Sequence, residues 1–439
     1  MRLPIAVFIL CVAHSAYSIE GLFDSLIKTP GTVAEGASSF LDDIFGGNNG
    51  KKVTDPCKRD VTQDYKKAIT TFHHKLYTQI AARSDNHFVF SPYTIWLSLS
   101  ALAEGADPSV QNQIFASLNL PLETCIRKKF YDIALNVEKP GPDVTLKRKR
   151  VLLIDESLKV YRTWGKMVRT SGLLTYGYAP IKEDPKATTR KVRDFLSTRS
   201  KIVLRGNSDL LDSLDYQGLW TTTFPEADIQ SQPFFNEVGQ KIGTVDMMHM
   251  KKKVRLADVP FMGCKVVELP VGEKGRYTML IAVGTGNSIL KNAIDIFMGS
   301  IMEIFSLLQM SLFPLDIAIP RFAVTSEFDA RPAIEELDIR SVWRDSAATR
   351  LVSNPPAKPG GLIQRVSIKV DNQGVSPPPT AGKDLISGLF DIAENTIGDV
   401  AKVVGHEFVA DRPFMFALFD TETRTCLFAG AFSKPNTLK

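Results

Sequence analysis

The chain has 439 residues, of which 44% are hydrophobic and 23% are charged. This composition excludes a largely disordered, collagen-like or coiled-coil protein, and it is typical of a globular chain that buries a substantial core. The formal net charge of +5 is too small for this length to indicate a nucleic-acid partner. We therefore expect one large domain with terminal appendages.

The amino terminus has the pattern of a secretory signal. Arg2 supplies a positive start, residues 5–12 are apolar, and Ala16-Tyr17-Ser18 offers small residues for cleavage. Because the apolar run is too short to span a bilayer, we expect residues 1–18 to be removed and the protein to be secreted and extracellular, without an integral membrane segment. Residues 19–56, rich in glycine, serine and aspartate, are expected to form a flexible extension before a single domain at 57–439.

The first predicted element is a helix over residues 61–82, where apolar side chains recur at helical spacing. A short strand at 88–90 is followed by Ser91-Pro92, a pair typical of a helix start, and this second helix continues to residue 103. After further helices, strands are predicted between 210 and 270, at 277–283, at 315–324 and at 366–370. The segment 289–313 is apolar at helical spacing.

The carboxyl end predicts two strands, at 413–419 and 426–432, joined by the polar turn Thr421-Glu422-Thr423. A chain that begins with helices and ends with such strands favours an α+β fold with large, mostly antiparallel sheets. The sequence contains no Gly-x-Ser-x-Gly, no His-Glu-x-x-His and no Cys-x-x-Cys. We therefore expect no enzyme activity, no cofactor and no metal site.

Lys147-Arg148-Lys149-Arg150 is a run of four cations. One interpretation is a positive patch that binds a sulfated polysaccharide or phosphate, and the other is a solvated strand edge whose charge protects it against aggregation. The sequence leaves both open. Four cysteines follow the signal, and an oxidising compartment allows three pairings among them: Cys57, Cys125, Cys264 and Cys426.

Several segments resemble the serpin family, in the family's order and over nearly the whole chain, from about residue 61 to residue 435. They are Phe88-Val89-Phe90-Ser91-Pro92, Tyr216-Gln217-Gly218-Leu219-Trp220, Val245-Asp246-Met247-Met248, Gly263-Cys264-Lys265-Val266-Val267-Glu268-Leu269-Pro270, Ile319-Pro320-Arg321-Phe322, Asp411-Arg412-Pro413-Phe414 and Leu427-Phe428-Ala429-Gly430. The resemblance implies three mostly antiparallel sheets, about nine helices and an exposed reactive loop at residues 375–407. It also favours a disulfide between Cys57 and Cys125, because tethers of this kind have parallels in the family.

In inhibitory serpins a protease cleaves the reactive loop, which then inserts as a new strand into the largest sheet and carries the acylated protease with it. The hinge of this loop departs from the inhibitors, which have threonine and a run of alanines where this chain has prolines. The hinge residues are Asn372, Gln373, Gly374, Val375, Ser376, Pro377, Pro378 and Pro379. Because proline has a fixed φ and no N–H, we expect insertion to stop at the hinge and the protein to be non-inhibitory.

The resemblance also marks a region where the sheet opens. Trp220 belongs to it, Gln364 stands where the family usually has histidine, and Asp212 stands where it has asparagine. We expect these two exchanges to alter the polar cluster that opens and closes the sheet.

The loop is longer than is usual in the family by roughly a dozen residues. Residues 385–404 place apolar side chains at spacings of three and four, which predicts an amphipathic helix with mainly acidic charges. We expect this helix to dock on a protein partner or on the protein's own body. Two alternatives are carriage of a polysaccharide or hormone, and inhibition of a trypsin-like serine protease with Lys402 as the scissile residue. Lys402 is reached by counting back from Phe414 by the usual family distance, whereas counting forward from the hinge reaches Gly388 as the scissile residue.

Overall fold

The computed structural model describes residues 55–139, 141, 143–199, 202–286, 290–344, 351–353, 357–376 and 407–435. The chain divides into two units, residues 1–58 and residues 59–439. In the first unit the described part is a single 3₁₀ turn, Pro56–Lys58. The predicted signal and nearly all of the predicted extension lie outside the described residues.

Ten α-helices lie within the described ranges of the second unit, and all but one of the first six are longer than ten residues. They are α1 Thr62–Ala81, α2 Pro92–Ala103, α3 Pro108–Leu118, α4 Thr124–Asn136, α5 Arg162–Ser171, α6 Pro185–Leu196, α7 Leu290–Phe297, α8 Ile301–Leu307, α9 Arg331–Glu335 and α10 Ser341–Arg344. The predicted helix start at Ser91 is confirmed, because the Ser91 hydroxyl caps α2 by accepting a 3.3 Å hydrogen bond from the Thr94 N–H. No helix of the described ranges combines the length and apolar composition that crossing a bilayer requires.

Strands alternate with these helices and dominate the second half of the chain. They are β1 Phe88–Phe90, β2 Val144–Asp155, β3 Lys159–Val160, β4 Thr175–Ala179, β5 Ser208–Leu219, β6 Ile229–Phe235, β7 Lys241–Lys252, β8 Arg255–Val259, β9 Cys264–Val271, β10 Tyr277–Gly284, β11 Gln309–Met310, β12 Leu315–Pro320, β13 Phe322–Asp329, β14 Val352–Ser353, β15 Pro359–Val370, β16 Gly374–Ser376, β17 Glu407–Val409, β18 Phe414–Asp420 and β19 Cys426–Phe432.

The strands form three large sheets and one two-stranded pair, β14-β3. The central sheet has the order β13-β15-β16-β5-β2-β4, a seven-stranded sheet has the order β1-β19-β18-β10-β9-β8-β11, and a four-stranded sheet has the order β17-β12-β7-β6. Most neighbours are antiparallel, and the parallel exceptions are β2–β4, β5–β15 and β12–β17. The predicted α+β fold with three large, mostly antiparallel sheets is confirmed.

Two predicted elements differ from the structure. The predicted strand 315–324 is two strands in two sheets, because the chain crosses from β12 to β13 at Arg321 while the alternation of side chains continues through the crossing. The segment 289–313, apolar at helical spacing, forms the two helices α7 and α8 that the resemblance implies, but residues 309–310 near its end form strand β11. Apolar periodicity does not mark where one short helix stops.

Aromatic rings fill the space between the central and the seven-stranded sheets. Phe322 lies on β13 of the central sheet, and its ring centroid is 5.2–5.3 Å from those of Phe414, Phe416 and Phe432 on β18 and β19. All four side chains are fully buried. This core fixes the back of the central sheet, so that its strands can part only if the packing beneath them rearranges.

Candidate functional site

The hinge enters the central sheet as the three-residue strand β16. This strand lies between β15 and β5 and pairs antiparallel with both. Beyond it the two neighbours pair directly with each other, and their direct pair nearest to β16 is Val366 with Leu214. The central sheet is therefore open only over the first residues of the hinge.

Glycine at position 374 is required by the close approach of the neighbouring strand. A Cβ atom on Gly374 would lie 2.1 Å from the carbonyl oxygen of Gly218 and 2.9 Å from the Cα of Leu219. Backbone atoms cannot move aside as a flexible side chain can, so any other residue would push the hinge away from β5.

The residues just before β16 are held by backbone and indole donors. The Nε1 of Trp220 donates to the Asp371 carbonyl at 2.8 Å, and its backbone N–H donates to the Gln373 carbonyl at 2.9 Å. The backbone N–H of Phe224 donates to the Asn372 carbonyl at 3.0 Å. Three consecutive carbonyls, that of Asp371 and those of the first two hinge residues, are thus satisfied by the segment that follows β5, which fixes where the hinge starts.

A guanidinium fixes the side chain of the same turn. The Nη2 of Arg321 donates to the Asn372 Oδ1 at 2.8 Å and pairs with the Glu226 carboxylate at 2.6 Å. Arg321 is the residue at which the chain crosses between β12 and β13, so one side chain links two sheets to the hinge. A charge-assisted hydrogen bond of this kind is stronger than a neutral one.

A buried polar cluster, formed by Ser91, Thr94, Asp212 and Gln364, lies under the closed part of the central sheet. The Gln364 Nε2 donates to the Asp212 Oδ2 at 2.6 Å, and it lies 2.9 Å from the Ser91 carbonyl and 3.0 Å from the Thr94 Oγ1. The Ser91 N–H donates to the Gln364 Oε1 at 2.9 Å, and the Thr94 hydroxyl donates to Asp212. The cluster therefore joins the start of α2 to both central strands.

Asp212 is the electrostatic centre of this cluster. Its side chain is fully buried, and its Oδ1 has no hydrogen-bond partner in the described ranges. Burial raises the pKa of the Asp212 carboxyl to about 6, against the opposing effect of the hydrogen bonds from Thr94 and Gln364 and of the charge on Arg150. The cluster thus holds a carboxyl that changes its charge near pH 6.

Asp212 on β5 and Gln364 on β15 occupy directly opposed positions in the parallel pair. Their hydrogen bond lies two residues beyond the pair of Val366 with Leu214, where the sheet closes. Any strand that entered beyond β16 would separate Asp212 from Gln364 and break this bond. We call this hydrogen bond between Asp212 and Gln364 the clasp, because it joins the two central strands.

The outer face of the same strands is covered by α6. Val192 and Leu196 of this helix pack on Leu211 of β5 and Ile363 of β15, and these four form a separate small apolar core together with Ile202. Leu211 and Ile363 are themselves opposed in the sheet. The two central strands are consequently held together by apolar packing in front and by the polar cluster behind.

The four cations of the basic run lie on β2, and the alternation of a strand places them on two faces. Arg150 is buried and pairs with Glu138 at 2.7 Å, and Arg148 pairs with the same carboxylate. On the other face, the Lys149 Nζ donates to the Phe195 carbonyl at 2.8 Å. The run is therefore not one contiguous patch, since Glu138 neutralises much of the charge on one face.

The cysteines are of two kinds. Cys57 and Cys125, the pair favoured by the resemblance, are each disulfide-bonded. Cys264 and Cys426 are free and buried. Burial raises the pKa of the Cys264 thiol to about 11 and that of Cys426 well above its ordinary value. Both thiols are therefore protonated and unreactive at neutral pH.

The remaining site predictions concern Pro377, Pro378, Pro379, Lys402 and the loop helix at 385–404, all of which lie outside the described residues. Within the described ranges, no group of three or more His, Cys, Asp or Glu side chains is placed to hold a metal ion. The structure brings Asp212 and Gln364 together, whereas Trp220 contacts the hinge and not the polar cluster.

Sequence reasoning missed several partners at the site. Arg321 stands in a motif that marked the family, but nothing in its spacing pointed to Asn372, because that contact joins segments that are far apart in the chain. Ser91 was named as a helix start and as part of a family motif, but not as a partner of Gln364, and Thr94 gave no signal. Glu138 gave no signal, since a single carboxylate after a helix is ordinarily solvated.

Comparisons with known proteins agree with this architecture. A family model described as "Serpin (serine protease inhibitor)" matches residues 67–435. Serpin B5 of Rattus norvegicus is 22% identical over 392 residues, which cover 84% of this chain and 98% of that protein. The plasma serine protease inhibitor of Homo sapiens is 22% identical over 406 residues, covering 88% of this chain and 91% of that protein.

Among solved structures, thyroxine-binding globulin in complex with thyroxine superposes with a TM-score of 0.71 at 16% identity, over 85% of this chain and 100% of that chain. At such low identity the likeness concerns the fold alone. The three sheets, the hinge position and the family match over most of the chain lead to one conclusion: this chain belongs to the serpin family.

Proposed function

We propose that this chain is a secreted serpin that does not inhibit proteases by loop insertion and that acts by binding a protein partner. Members of the family are protease inhibitors or non-enzymatic binders, and not enzymes. The choice between these two roles rests on whether the reactive loop can become a central strand. One structural relationship, the register of β16, carries the proposal.

The register of β16 assigns a place in the sheet to each residue that would follow it. Ser376 is opposite Lys369, so an extended strand would set Pro377 opposite Ile368 and Pro379 opposite Val366. On the other side, Val375 is opposite Gly218, so Pro379 would fall opposite Leu214. Pro379 would therefore enter at the pair of Val366 with Leu214, where the sheet is closed.

Insertion at these three positions is unfavourable for a physical reason. A central strand donates its N–H groups to both neighbours, and three prolines donate none. Each ladder carbonyl left without a donor in the buried sheet costs about 1–3 kcal/mol. The clasp of Asp212 with Gln364 and the packing under α6 would also have to break before any new pairing formed. The driving force for insertion is thus removed at its first step.

A protein partner is supported by the sequence of the loop. Residues 385–404 carry an apolar stripe and mainly acidic charges, a pattern suited to docking in the groove of another protein. Secretion is supported by the signal pattern at residues 1–18 and by the disulfide-bonded state of Cys57 and Cys125. A disulfide between these two cysteines is part of the proposal.

The alternative function is inhibition of a trypsin-like serine protease with cleavage at Lys402. The two functions differ in one observable, the covalent complex between serpin and protease. The full secreted protein is incubated with trypsin, chymotrypsin and elastase and separated on a denaturing gel, and the cleavage sites are mapped by mass spectrometry. We expect cleavage products without a denaturant-resistant complex. A covalent adduct with any of the three enzymes would overturn the proposal.

A matched variant tests the cause. In the triple variant Pro377→Thr, Pro378→Ala and Pro379→Ala, all three ladder donors are restored. We expect cleavage to raise the melting temperature of this variant and to leave that of the wild-type protein nearly unchanged. An equal rise in both proteins would show that the prolines do not block insertion.

A further inference from the structure

A cavity of about 210 Å³ opens beside the hinge, between the segment after β5 and the ends of β7, β8, β9 and β11. It shares the residues Trp220 and Phe224 with the contacts of the hinge, and no residue with the polar cluster. Its wall is largely apolar and includes the side chains of Trp220, Phe224, Met250, Leu269 and Met310. Trp220, Phe224 and Leu269 are buried, whereas Met310 is 59% exposed at the mouth.

The wall of this cavity is preorganised. The indole N–H of Trp220 and the backbone N–H of Phe224 are already bonded to hinge carbonyls, so that these two aromatic residues are held in place. They present carbon surface to the cavity rather than free donors. A ligand would therefore lose little affinity to the ordering of side chains, and its buried part must be apolar.

The mouth of the cavity is cationic. Lys252, the last residue of β7, and Lys253, which follows it, both line the cavity. The Lys252 ammonium contacts the Thr222 hydroxyl, and that of Lys253 has no hydrogen bond or ion pair within the described ranges. The other two charges at this site cancel, because Arg255 and Glu268 pair with each other at 2.6 Å. The mouth thus carries an excess of two positive charges over an apolar interior.

From this combination we propose that the cavity binds a small amphipathic carboxylate, with the apolar body inside and the carboxylate between Lys252 and Lys253. The volume equals about seven waters of liquid, which suits a body of about eight to ten non-hydrogen atoms, such as a medium acyl chain or a fused aromatic ring. It is smaller than the roughly 300–1,000 Å³ of sites for drug-sized ligands. The proposal does not depend on whether the loop inserts.

Isothermal titration calorimetry of the full-length protein tests the proposal. The ligands are decanoate and 2-naphthoate, both below their micellar range, which distinguish an acyl chain from a fused aromatic ring as the apolar body. Decanol and decyltrimethylammonium are the matched neutral and cationic probes. We expect saturable one-to-one binding of at least one carboxylate and much weaker binding of the other two probes. Absence of saturable heat with both carboxylates, or equal binding of decanol, would overturn it.

Variants test the location. We expect the double variant Lys252→Gln and Lys253→Gln to bind the carboxylate about tenfold more weakly while melting at the wild-type temperature. The matched control is Lys251→Gln, because Lys251 is exposed on the same strand but does not line the cavity. Equal losses in the control and in the double variant would place the ligand elsewhere.

The intrinsic fluorescence gives a second readout. The chain has four tryptophans, and the only one that lines this cavity is Trp220. We expect carboxylate binding to shift the emission of the wild-type protein and not that of Trp220→Phe, in which an aromatic wall remains. An unchanged shift in Trp220→Phe would contradict the assignment.

Discussion

The side-chain amide of Gln364 and the carboxyl of Asp212 are joined by a 2.6 Å hydrogen bond across the two central strands, immediately beyond the point where the hinge enters the sheet. The two residues that the resemblance marks as departures from the family are thus direct partners. The Gln364 amide carries its N–H donors at every ordinary pH, so its hydrogen bond to Asp212 persists when the Asp212 carboxyl is ionised.

The first prediction concerns pH. The pKa of Asp212 is about 6 in the folded protein and near 3.9 in an unfolded chain. Between these values the folded state holds a proton that the unfolded state has lost, so the free energy of unfolding falls as the pH rises from about 4 to above 6, by about 2–3 kcal/mol at most. We expect Asp212→Asn to remove this part of the decline and to melt at a higher temperature than the wild-type protein at pH 7.5.

The measurement is a set of thermal melts between pH 4.5 and 7.5. Asp209 is also buried, and burial raises its pKa to about 7, so the informative quantity is the difference between the wild-type protein and the variant. Asp215→Asn, at a partly exposed position of the same strand, is the control. If the difference in melting temperature between the wild-type protein and Asp212→Asn is the same at every pH, the pH dependence does not come from Asp212.

The second prediction concerns the clasp itself. Gln364→Leu leaves the Ser91 N–H without a buried partner and the Asp212 carboxylate with the Thr94 hydroxyl alone, and we expect a loss of about 2–4 kcal/mol in the free energy of unfolding. Hydrogen exchange should quicken in β5 and β15 near Leu214 and Val366. Gln217→Leu on the exposed face of β5 should change neither quantity. Equal effects of the two substitutions would show that the buried bonds are immaterial.

The third prediction concerns the hinge. Asn372→Ala removes the acceptor through which Arg321 holds the hinge and leaves Arg321 paired with Glu226 alone. We expect faster hydrogen exchange at the amides of Gly374 and Val375, with a loss of about 1–2 kcal/mol in local stability. Gln373→Ala is the control, because the Gln373 side chain is exposed and only its backbone is bonded here. If Asn372→Ala exchanges like the wild-type protein, Arg321 does not hold the hinge.

The fourth prediction concerns the basic run. Because Arg148 and Arg150 share the Glu138 carboxylate, which offsets one of their two charges and holds both side chains, any retention on immobilised heparin should depend mainly on Lys147 and Lys149. We expect Lys147→Gln with Lys149→Gln to elute at lower salt, and Arg148→Gln to elute with the wild-type protein. A larger loss with Arg148→Gln than with the lysine pair would restore the interpretation of a single patch.

The fifth prediction concerns the thiols. At pH 8 iodoacetamide should leave Cys264 and Cys426 unmodified in the folded protein and label both after denaturation, because burial keeps them protonated and inaccessible. Non-reducing peptide mapping should recover Cys57 and Cys125 in one linked peptide pair. Labelling of either buried cysteine before unfolding would contradict this arrangement.

Local pattern was enough to predict much of the fold. The helix start at Ser91, the strand at Phe88–Phe90 and the strands near the carboxyl end are confirmed, because each has a signal within a few residues. The crossing at Arg321 and the site contacts of Asn372 and Glu138 could not be predicted. The contact of Arg321 with Asn372 joins segments far apart in sequence, the crossing leaves the alternation of side chains unbroken, and Glu138 resembles an ordinary solvated carboxylate.

The short strand β16 also bears on how this protein can change over evolutionary time. A loop that must become a strand accepts few insertions and few large or ring-closed side chains, because every position has to fit between two neighbours. Under the function proposed above, the loop of this chain need not meet that requirement, so natural selection acts on residues 377–406 through their contacts with a partner. The length and composition of this segment would then reflect selection for a binding contact rather than selection for insertion into the sheet.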